Sequence, residues 1–184
     1  MTVEYKTYFC SSLGWLEIGG SERGVETVEF VKGSFDEGEE TKESEIPTCL
    51  RDCVEQLAEY FEGKRREFSL KLNPRGTDFQ KRVWAELEKI PYGKTVSYGD
   101  IARAVGNPAA VRAVGGANGR NHIVVIIPCH RVIGSDGSLT GFGAGLWRKE
   151  WLLNHERMEY RYESTNTGRK TLCGQRLCPG VEVS

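Results

Sequence analysis

The sequence has no long apolar run. Its 184 residues contain no stretch that approaches the roughly 18 apolar residues of a membrane-spanning helix. The first ten residues carry Glu4 and Lys6 among apolar neighbours, so they lack the apolar centre of a secretory signal peptide. We therefore expect an intracellular protein, in the cytoplasm or nucleus, with no membrane contact and with all six cysteines reduced.

Metal ligands are also scarce, since histidine occurs only three times. Cys49 and Cys53 are four residues apart, but no second pair of cysteine or histidine residues lies near them, as a structural zinc site would need. Cys173 and Cys178 could hold zinc or form an oxidised pair, although two cysteines do not make a site. The sequence therefore predicts no metal and no cofactor.

Acidic and basic residues balance overall but not locally. The formal net charge is −1, yet residues 1–70 carry eight basic and sixteen acidic side chains. Residues 71–160 carry thirteen basic and eight acidic ones, a net charge of +5. A polyanion responds to the local field rather than to the total charge. The second segment is therefore where phosphate contacts are expected; the alternative is that the acidic half is an ordinary solvated face.

The first 73 residues have the pattern of a small α+β domain. Alternating β-formers predict strands over Tyr5–Phe9, Gly14–Ile18 and Val25–Val31, and residues 33–45 predict a polar loop. Apolar residues at helical spacing then predict a helix from Pro47 to Glu62. The order indicates an antiparallel sheet accompanied by one helix.

The chain from residue 74 to residue 160 is instead expected to be mainly helical. Thr77 can cap a first helix, Ser97 a short second helix from Tyr98 to Val105, and a third helix is predicted from about Ala109 to Asn118. This succession is the helix-turn-helix pattern, although helical hairpins are common in proteins that never bind DNA. The polar residues 161–184 predict a flexible tail.

Cys129 and His130 stand where a nucleophile is expected. The apolar run Ile123–Ile127 predicts a buried strand that ends just before them, and the glycine-rich segment Gly134–Gly145 predicts a loop after them. The reactive form of cysteine is the thiolate, so a base must remove its proton. His130 could do so, with Glu156 orienting the imidazole. The alternative is a buried structural cysteine, since free cysteine is often a core residue.

Arg112 lies on the predicted third helix among unusually small residues, in Val111-Arg112-Ala113-Val114-Gly115-Gly116-Ala117. Small residues let a helix approach a duplex closely, and a lone arginine could then enter the base stack. A regulator's recognition helix displays several polar side chains to read base edges, so this helix is suited to DNA without reading much sequence. The alternative is that the helix is small-faced because it packs closely on another.

The segment Ile127-Pro128-Cys129-His130-Arg131-Val132 carries the PCHRV signature of the O6-alkylguanine-DNA alkyltransferases, and the sequence resembles that family. Further similar segments occur in the right order: Val96–Ala102, Arg112–Ala117, Asn121, Gly141–Gly143 and Leu152–Glu156. The likeness is strong over about residues 77–156. Over residues 1–70 it is limited to the layout of strands and helix.

The resemblance implies an α+β protein with a ribonuclease-H-like domain over residues 1–73 and a winged-helix-like domain with a helix-turn-helix over residues 74–160. It implies direct-reversal DNA repair, in which the protein binds the minor groove of double-stranded DNA and flips O6-alkylguanine, and also O4-alkylthymine, out of the duplex. The alkyl group would then move irreversibly to Cys129. Each molecule would act once, as a monomer and without a cofactor.

The resemblance also implies a role for each matching residue. Cys129 is the acceptor, His130 acts as a base through a water, Glu156 orients His130, and Asn121 ties the recognition helix to the active-site strand. Tyr98 hydrogen-bonds the guanine ring and helps to rotate the nucleotide. The implied DNA contacts are Arg112, which fills the space left by the base, Tyr98, Ala113, Gly115, Ala117 and Asn118. The implied substrate pocket consists of Tyr98, Asn118, Val132, Phe142, Gly143 and Ala144.

Three other functions account for parts of the pattern. An alkyltransferase-like protein would bind the lesion without efficient transfer, but such proteins usually have tryptophan in place of the acceptor cysteine. A methylation-sensing transcriptional regulator would need an additional metal-cysteine domain, for which 184 residues leave no room. A Cys-His hydrolase would turn over repeatedly and would not need a helix-turn-helix that carries Arg112.

Overall fold

Three strands and one helix occupy the first part of the chain and the second part is mainly helical, so the fold is of the predicted α+β class. The computed structural model describes residues 3–31 and 45–164, and of residues 158–164 only the backbone. In chain order the elements are β1 (Tyr5–Ser11), β2 (Gly14–Ser21), β3 (Gly24–Phe30), α1 (Thr48–Phe61), α2 (Asp78–Glu88), β4 (Val96–Ser97), α3 (Tyr98–Ala104), α4 (Val111–Gly119), β5 (Val132–Ile133) and α5 (Leu146–Ser164). Two short 3₁₀ helices, Pro108–Ala110 and Cys129–Arg131, precede α4 and β5.

The three N-terminal strands form an antiparallel sheet in the order β1-β2-β3, as predicted. Leu16 and Ile18 of β2 are fully buried because alternate side chains of a strand point to the same face. Helix α1 contacts all three strands, and its apolar residues lie on one face, which is buried: Leu50, Cys53, Leu57 and Tyr60. The predicted helix is thereby confirmed, to within one or two residues at each end.

The outer edge of β3 is covered by two segments from later in the chain. The Val25 amide donates to the Lys71 carbonyl at 2.9 Å, and the Val28 amide donates to the His122 carbonyl at 2.7 Å. The Val124 amide in turn donates to the Val28 carbonyl at 2.9 Å. An unpaired strand edge leaves backbone groups unsatisfied, so this pairing protects the sheet. It also anchors the chain segment that leads to Cys129.

The prediction of a strand over Ile123–Ile127 is wrong. Only Ile123 forms a β-bridge, to Val28, and the chain then turns so that the Ile127 amide donates to the Ile123 carbonyl at 3.0 Å. Val125, fully buried in this turn, has φ of 73°, a left-handed conformation that is rare for a β-branched residue and costs free energy. A run of apolar residues indicates burial, but it does not distinguish a strand from a buried turn.

The two predicted capped helices begin as expected. The Thr77 side chain accepts from the Gln80 amide at the start of α2, and the Ser97 side chain accepts from the Asp100 amide at the start of α3, each as part of a capping box. Helix α4 follows α3 after a 3₁₀ turn and packs on both α2 and α3. The buried Trp84 indole of α2 donates to the Ala117 carbonyl of α4 at 2.9 Å. The helix-turn-helix is thus α3 and α4, held from behind by α2.

Helix α5 continues to Ser164, so residues 161–164 of the predicted flexible tail are helical. Residues 165–184 of that tail, with Cys173 and Cys178, and residues 33–44 of the predicted polar loop lie outside the described residues. None of the described helices is long and apolar enough to cross a membrane.

The cysteines are not all reduced. Cys49, Cys53 and Cys129 are free thiols, whereas Cys10 is disulfide-bonded. The expectation of reduced cysteines is therefore wrong for Cys10.

The hydrogen bond from Trp84 to Ala117 gives a test of how α4 is held. Trp84→Phe should lower the free energy of unfolding by about 0.5–1.5 kcal/mol, because it removes one buried hydrogen bond, while the Arg120 amide still donates to the Ala117 carbonyl. Trp147, which is 55% exposed, supplies the matched control, and Trp147→Phe should change stability by less than about 0.5 kcal/mol. Urea titration of both variants measures the difference, and equal values would contradict the assigned role of Trp84.

Candidate active site

The Glu156 carboxylate lies fully buried at the centre of a network of hydrogen bonds. Arg131 donates to it from Nε (3.0 Å to Oε2) and Nη2 (2.9 Å to Oε1), the Tyr60 hydroxyl donates to Oε1 at 2.9 Å, and the Gly93 amide donates to Oε2 at 3.0 Å. His130 Nε2 lies 2.8 Å from Oε1. Burial alone would raise the pKa of Glu156, but the hydrogen bonds and charges of His130 and Arg131 outweigh it and hold the pKa well below its ordinary value. Glu156 is therefore an anion at neutral pH.

His130 is oriented by this anion. Because the ionised carboxylate can only accept, Nε2 carries the proton of the neutral ring, and Nδ1 is left with a lone pair. Burial lowers the pKa of His130, so the ring is neutral at pH 7. Nδ1 is buried and has no hydrogen-bond partner among the described residues. An unpaired basic nitrogen next in sequence to a cysteine is suited to accept a proton.

The Cys129 thiol is almost inaccessible, at 2% exposure, and lies in the 3₁₀ turn that precedes β5. Burial raises the pKa of the thiol to about 11, although a hydrogen bond from Asn121 and the positive charge of Lys149 act in the opposite direction. At neutral pH Cys129 is thus a thiol, and it needs a base to become a nucleophile. The neighbouring base argues against the interpretation of Cys129 as a structural core residue.

Asn121 fixes the turn from which Cys129 projects. Its Nδ2 donates to the Ile127 carbonyl at 2.9 Å and to Cys129 Sγ at 3.1 Å, while its Oδ1 accepts from the Ile123 amide at 3.0 Å. One amide thus connects the end of α4 to both ends of the turn. The role that the resemblance implied for Asn121 fits this geometry, except that it ties α4 to a turn and not to a strand.

Lys149 was missed by the sequence analysis. It is fully buried, and its Nζ donates to the Val132 carbonyl at 2.6 Å and to the Thr140 carbonyl at 2.5 Å. Burial lowers the pKa of Lys149 to about 8, so the ammonium is still mostly charged at pH 7. Its fixed positive charge stabilises negative charge at Cys129. Tyr60 was missed as well, because only the fold brings it beside Glu156, 96 residues away.

Tyr98 begins α3 and contacts the glycine-rich loop. Its hydroxyl donates to the Thr140 carbonyl at 3.0 Å, the same oxygen that Lys149 binds. Gly141 is required here, because it has φ of 62° and a Cβ at this position would lie 2.7 Å from the Tyr98 hydroxyl. The loop therefore packs directly on Tyr98.

A cleft of about 540 Å³ opens onto Cys129. Of the predicted pocket residues it is lined by Asn118, Phe142, Gly143 and Ala144, and Asn121 also lines it. Tyr98 and Val132 are not among the lining residues, and Val132 is fully buried. The N-terminal sheet forms an unpredicted wall, through Glu17, Glu29, Phe30 and Val31. The predicted pocket residues all belong to the second domain, so the sequence analysis missed this wall.

The outer face of α4 carries only part of the predicted DNA contact. Arg112 and Ala113 are exposed and Gly115 is half-buried, whereas Ala117 and Asn118 are buried. Arg112 makes no hydrogen bond or ion pair with any residue that the structure describes. Ala117 is buried and its carbonyl accepts from the Trp84 indole of α2, so the packing explanation for small residues applies to it, whereas contact of α4 with DNA stays a prediction.

Within residues 3–31 and 45–164 no three His, Cys, Asp or Glu side chains form a group that could hold a metal ion. The absence of a metal in the whole chain stays a prediction.

The Glu156 network should make stability depend on pH. Glu156→Gln should lower the free energy of unfolding at pH 7 by about 3–5 kcal/mol, because Arg131 is then buried without its counter-ion. The folded-state pKa of Glu156 is depressed. The excess in free energy of unfolding of the wild type over Glu156→Gln should therefore be complete above the unfolded pKa of about 4.3 and should decline as pH falls below it. Glu150→Gln, at an exposed position of α5, is the control. A difference that does not change between pH 7 and pH 3 would contradict the assignment.

Comparison with known proteins places both halves of the chain in one family. Residues 4–74 match the ribonuclease-like domain of 6-O-methylguanine DNA methyltransferase, and residues 78–158 match the DNA-binding domain of the same protein. The methylated-DNA–protein-cysteine methyltransferase of Methanosarcina acetivorans is 46% identical over 159 residues, which cover 83% of this chain and 97% of the relative. The constitutive enzyme of that name from Bacillus subtilis is 52% identical over 122 residues, 66% of this chain and 73% of the relative.

Solved structures agree with this. The crystal structure of Mycobacterium tuberculosis OGT in complex with DNA has a TM-score of 0.75 and 42% sequence identity, and the match covers 84% of this chain and 94% of that one. The chain therefore belongs to the 6-O-methylguanine DNA methyltransferase family.

Proposed function

We propose that this chain repairs double-stranded DNA by transferring the alkyl group of O6-alkylguanine, and of O4-alkylthymine, to Cys129. The observation that carries the proposal is the arrangement of Glu156, His130 and Cys129. The Glu156 anion orients His130, whose Nδ1 has no partner among the described residues, and the adjacent Cys129 thiol lines a cleft. The curated relatives described above are named methylated-DNA–protein-cysteine methyltransferases, and the crystal structure of the mycobacterial relative is a complex with DNA.

The transfer requires one proton movement and one substitution. His130 Nδ1 takes the thiol proton of Cys129 through a water, while Glu156 stabilises the resulting imidazolium. Sγ then attacks the alkyl carbon, the bond from that carbon to O6 breaks, and the bonding electrons leave with the guanine. The base departs as an anion, which the Tyr98 hydroxyl stabilises by turning from Thr140 towards the ring and which the proton held by His130 finally neutralises.

The Thr140 carbonyl is not left unpaired when Tyr98 turns, because Lys149 still donates to it. The new thioether has no group that water can readily displace. Each molecule therefore acts once, and no cofactor is needed.

The burial of Cys129 requires the damaged base to leave the duplex. A thiol that is 2% exposed cannot reach a carbon inside a base stack, so the nucleotide must rotate into the cleft. Flipping costs a few kcal/mol. Arg112, exposed in the first turn of α4, fills the gap left by the base and recovers part of that cost. Ala113 and Gly115 are small enough to let α4 approach the minor groove, and the protein acts as a monomer.

The acceptor assignment is tested by mass spectrometry of the intact protein mixed with a duplex that contains one O6-methylguanine. The wild-type protein should gain one methyl group, which peptide mapping should locate on Cys129, with saturation at one per molecule. Cys129→Ala should bind the duplex but gain nothing, whereas Cys49→Ala, which removes another free thiol, should react like the wild type. Tight lesion binding by the wild type without any mass gain would favour an alkyltransferase-like damage sensor instead.

The role of Arg112 is tested by comparing two substrates. Arg112→Ala should slow transfer from the duplex by about ten- to a hundredfold, a part of the flipping cost, and should leave reaction with free O6-methylguanine nearly unchanged. Arg120→Ala, an exposed arginine just after α4, is the matched control and should affect duplex repair much less. Equal losses on duplex and free base would exclude a role in flipping.

A further inference from the structure

The walls of the cleft come from distant parts of the chain, and Arg148 of α5 contacts two of them. The N-terminal sheet contributes Phe30 to the lining, and the glycine-rich loop contributes Ala144. Arg148 Nη1 donates to the Ala144 carbonyl at 2.8 Å, and its Nε donates to the Leu13 carbonyl, between β1 and β2, at 3.1 Å. One guanidinium group therefore joins the loop to the sheet.

The same guanidinium group packs against two aromatic rings. Its central carbon lies 4.4 Å from the ring centre of Phe30 and 4.4 Å from that of Trp147. A planar guanidinium can stack on aromatic rings and still donate hydrogen bonds in its own plane. Two carbonyls and two rings thus hold Arg148 in one orientation, and Phe30 ties it to the cleft a second time.

Charge pairing does not explain the position of Arg148. Its side chain is half-buried, and it forms no ion pair with any residue that the structure describes. Burial lowers the pKa of the guanidinium, because a cation loses hydration when it leaves water. The carbonyl groups and the aromatic rings offset this cost. Arg148 is therefore suited to hold backbone segments together and not to neutralise a carboxylate.

The next residue of α5, Lys149, holds the same loop at another point. Its Nζ donates to the Thr140 carbonyl, four residues before the Ala144 carbonyl that Arg148 binds. Consecutive residues of a helix point in directions about 100° apart. Lys149 is fully buried and its charge acts on Cys129, whereas Arg148 contacts the sheet. The two cations thus fix the loop relative to the thiol and relative to the sheet.

On the basis of the proposed function, we infer that Arg148 is a positioning residue for the transfer: it ties the glycine-rich loop to the N-terminal sheet and thereby fixes the width of the cleft. Without Arg148 the loop stays attached to Lys149 but is free to move away from Phe30. A displacement of about 1 Å between reacting groups can slow a reaction about a hundredfold. A methyl group depends on a narrow cleft, whereas a larger alkyl group also fills a wider one. Arg148 therefore favours the transfer of methyl over larger groups.

The test measures single-turnover transfer at saturating concentrations of a duplex that carries O6-methylguanine or O6-butylguanine. Arg148→Met keeps an unbranched side chain but removes every donor, so it should lower the methyl rate constant by about ten- to a hundredfold. The butyl rate constant should fall less, so the ratio of butyl to methyl rate constants should rise. A variant that is merely less stable would lose active molecules equally for both substrates and would keep the wild-type ratio.

Two further variants separate the geometry of Arg148 from its charge. Arg148→Lys keeps the charge, but an ammonium group cannot stack as a plane and reach both carbonyls, so this variant should also slow methyl transfer and raise the ratio. It carries the test if Arg148→Met does not fold. Arg157→Lys, at an exposed position of α5, is the matched control and should react like the wild type. Wild-type rates in Arg148→Lys, with weaker duplex binding by Arg148→Met, would mean that only the charge matters and would overturn the inference.

Hydrogen exchange separates this inference from the proposed function. Within the loop, the Gly145 amide donates to the Phe142 carbonyl at 3.0 Å. In both Arg148 variants the amides of residues 140–145 should exchange at least about tenfold faster, relative to those of α2, than in the wild type. If the wild type transfers no methyl but this exchange pattern holds, the proposed transfer is wrong and the tie is supported. If transfer occurs and either the rate constants or the exchange do not depend on Arg148, the inference fails alone.

Discussion

A buried negative charge must be surrounded by donors, and Glu156 imposes this constraint on the whole molecule. Its carboxylate collects Tyr60 from α1, Gly93 from the loop before β4, and His130 and Arg131 from the 3₁₀ turn, while Glu156 itself comes from α5. Removing any of these donors would leave part of the charge uncompensated in a low-dielectric interior. The segments that carry the reactive groups are therefore held in one arrangement by electrostatics as well as by packing.

The same arrangement explains how a cysteine can be both protected and ready. Burial keeps Cys129 protonated, so it does not react with every electrophile that reaches the surface. The neutral imidazole of His130 and the charge of Lys149 are already oriented, so the proposed transfer would need little reorganisation. In the proposed single-turnover reaction this restraint is an advantage, since every misdirected reaction would consume a molecule.

The N-terminal sheet takes part in the site and is more than a support for the helical half. Its β3 edge binds the segment 122–124, which leads into the buried turn before Cys129. Residues of the sheet also form one wall of the cleft. The apolar cores of the two halves form one continuous cluster. A change in the sheet would therefore alter both the position of Cys129 and the shape of the cleft.

The sequence alone determined what depends on neighbours along the chain. The capping boxes at Thr77 and Ser97 follow from residues three positions apart. Cys129 and His130 are neighbours in the sequence, so their proximity needs no fold. The apolar run 123–127 revealed burial, but whether it became strand or turn was decided by the edge of β3 and by Asn121. The contact of Tyr60 with Glu156, the burial of Lys149 and the inward face of Ala117 also required the fold. Such contacts join residues far apart in sequence, and their energies depend on desolvation that exists only after the chain has packed.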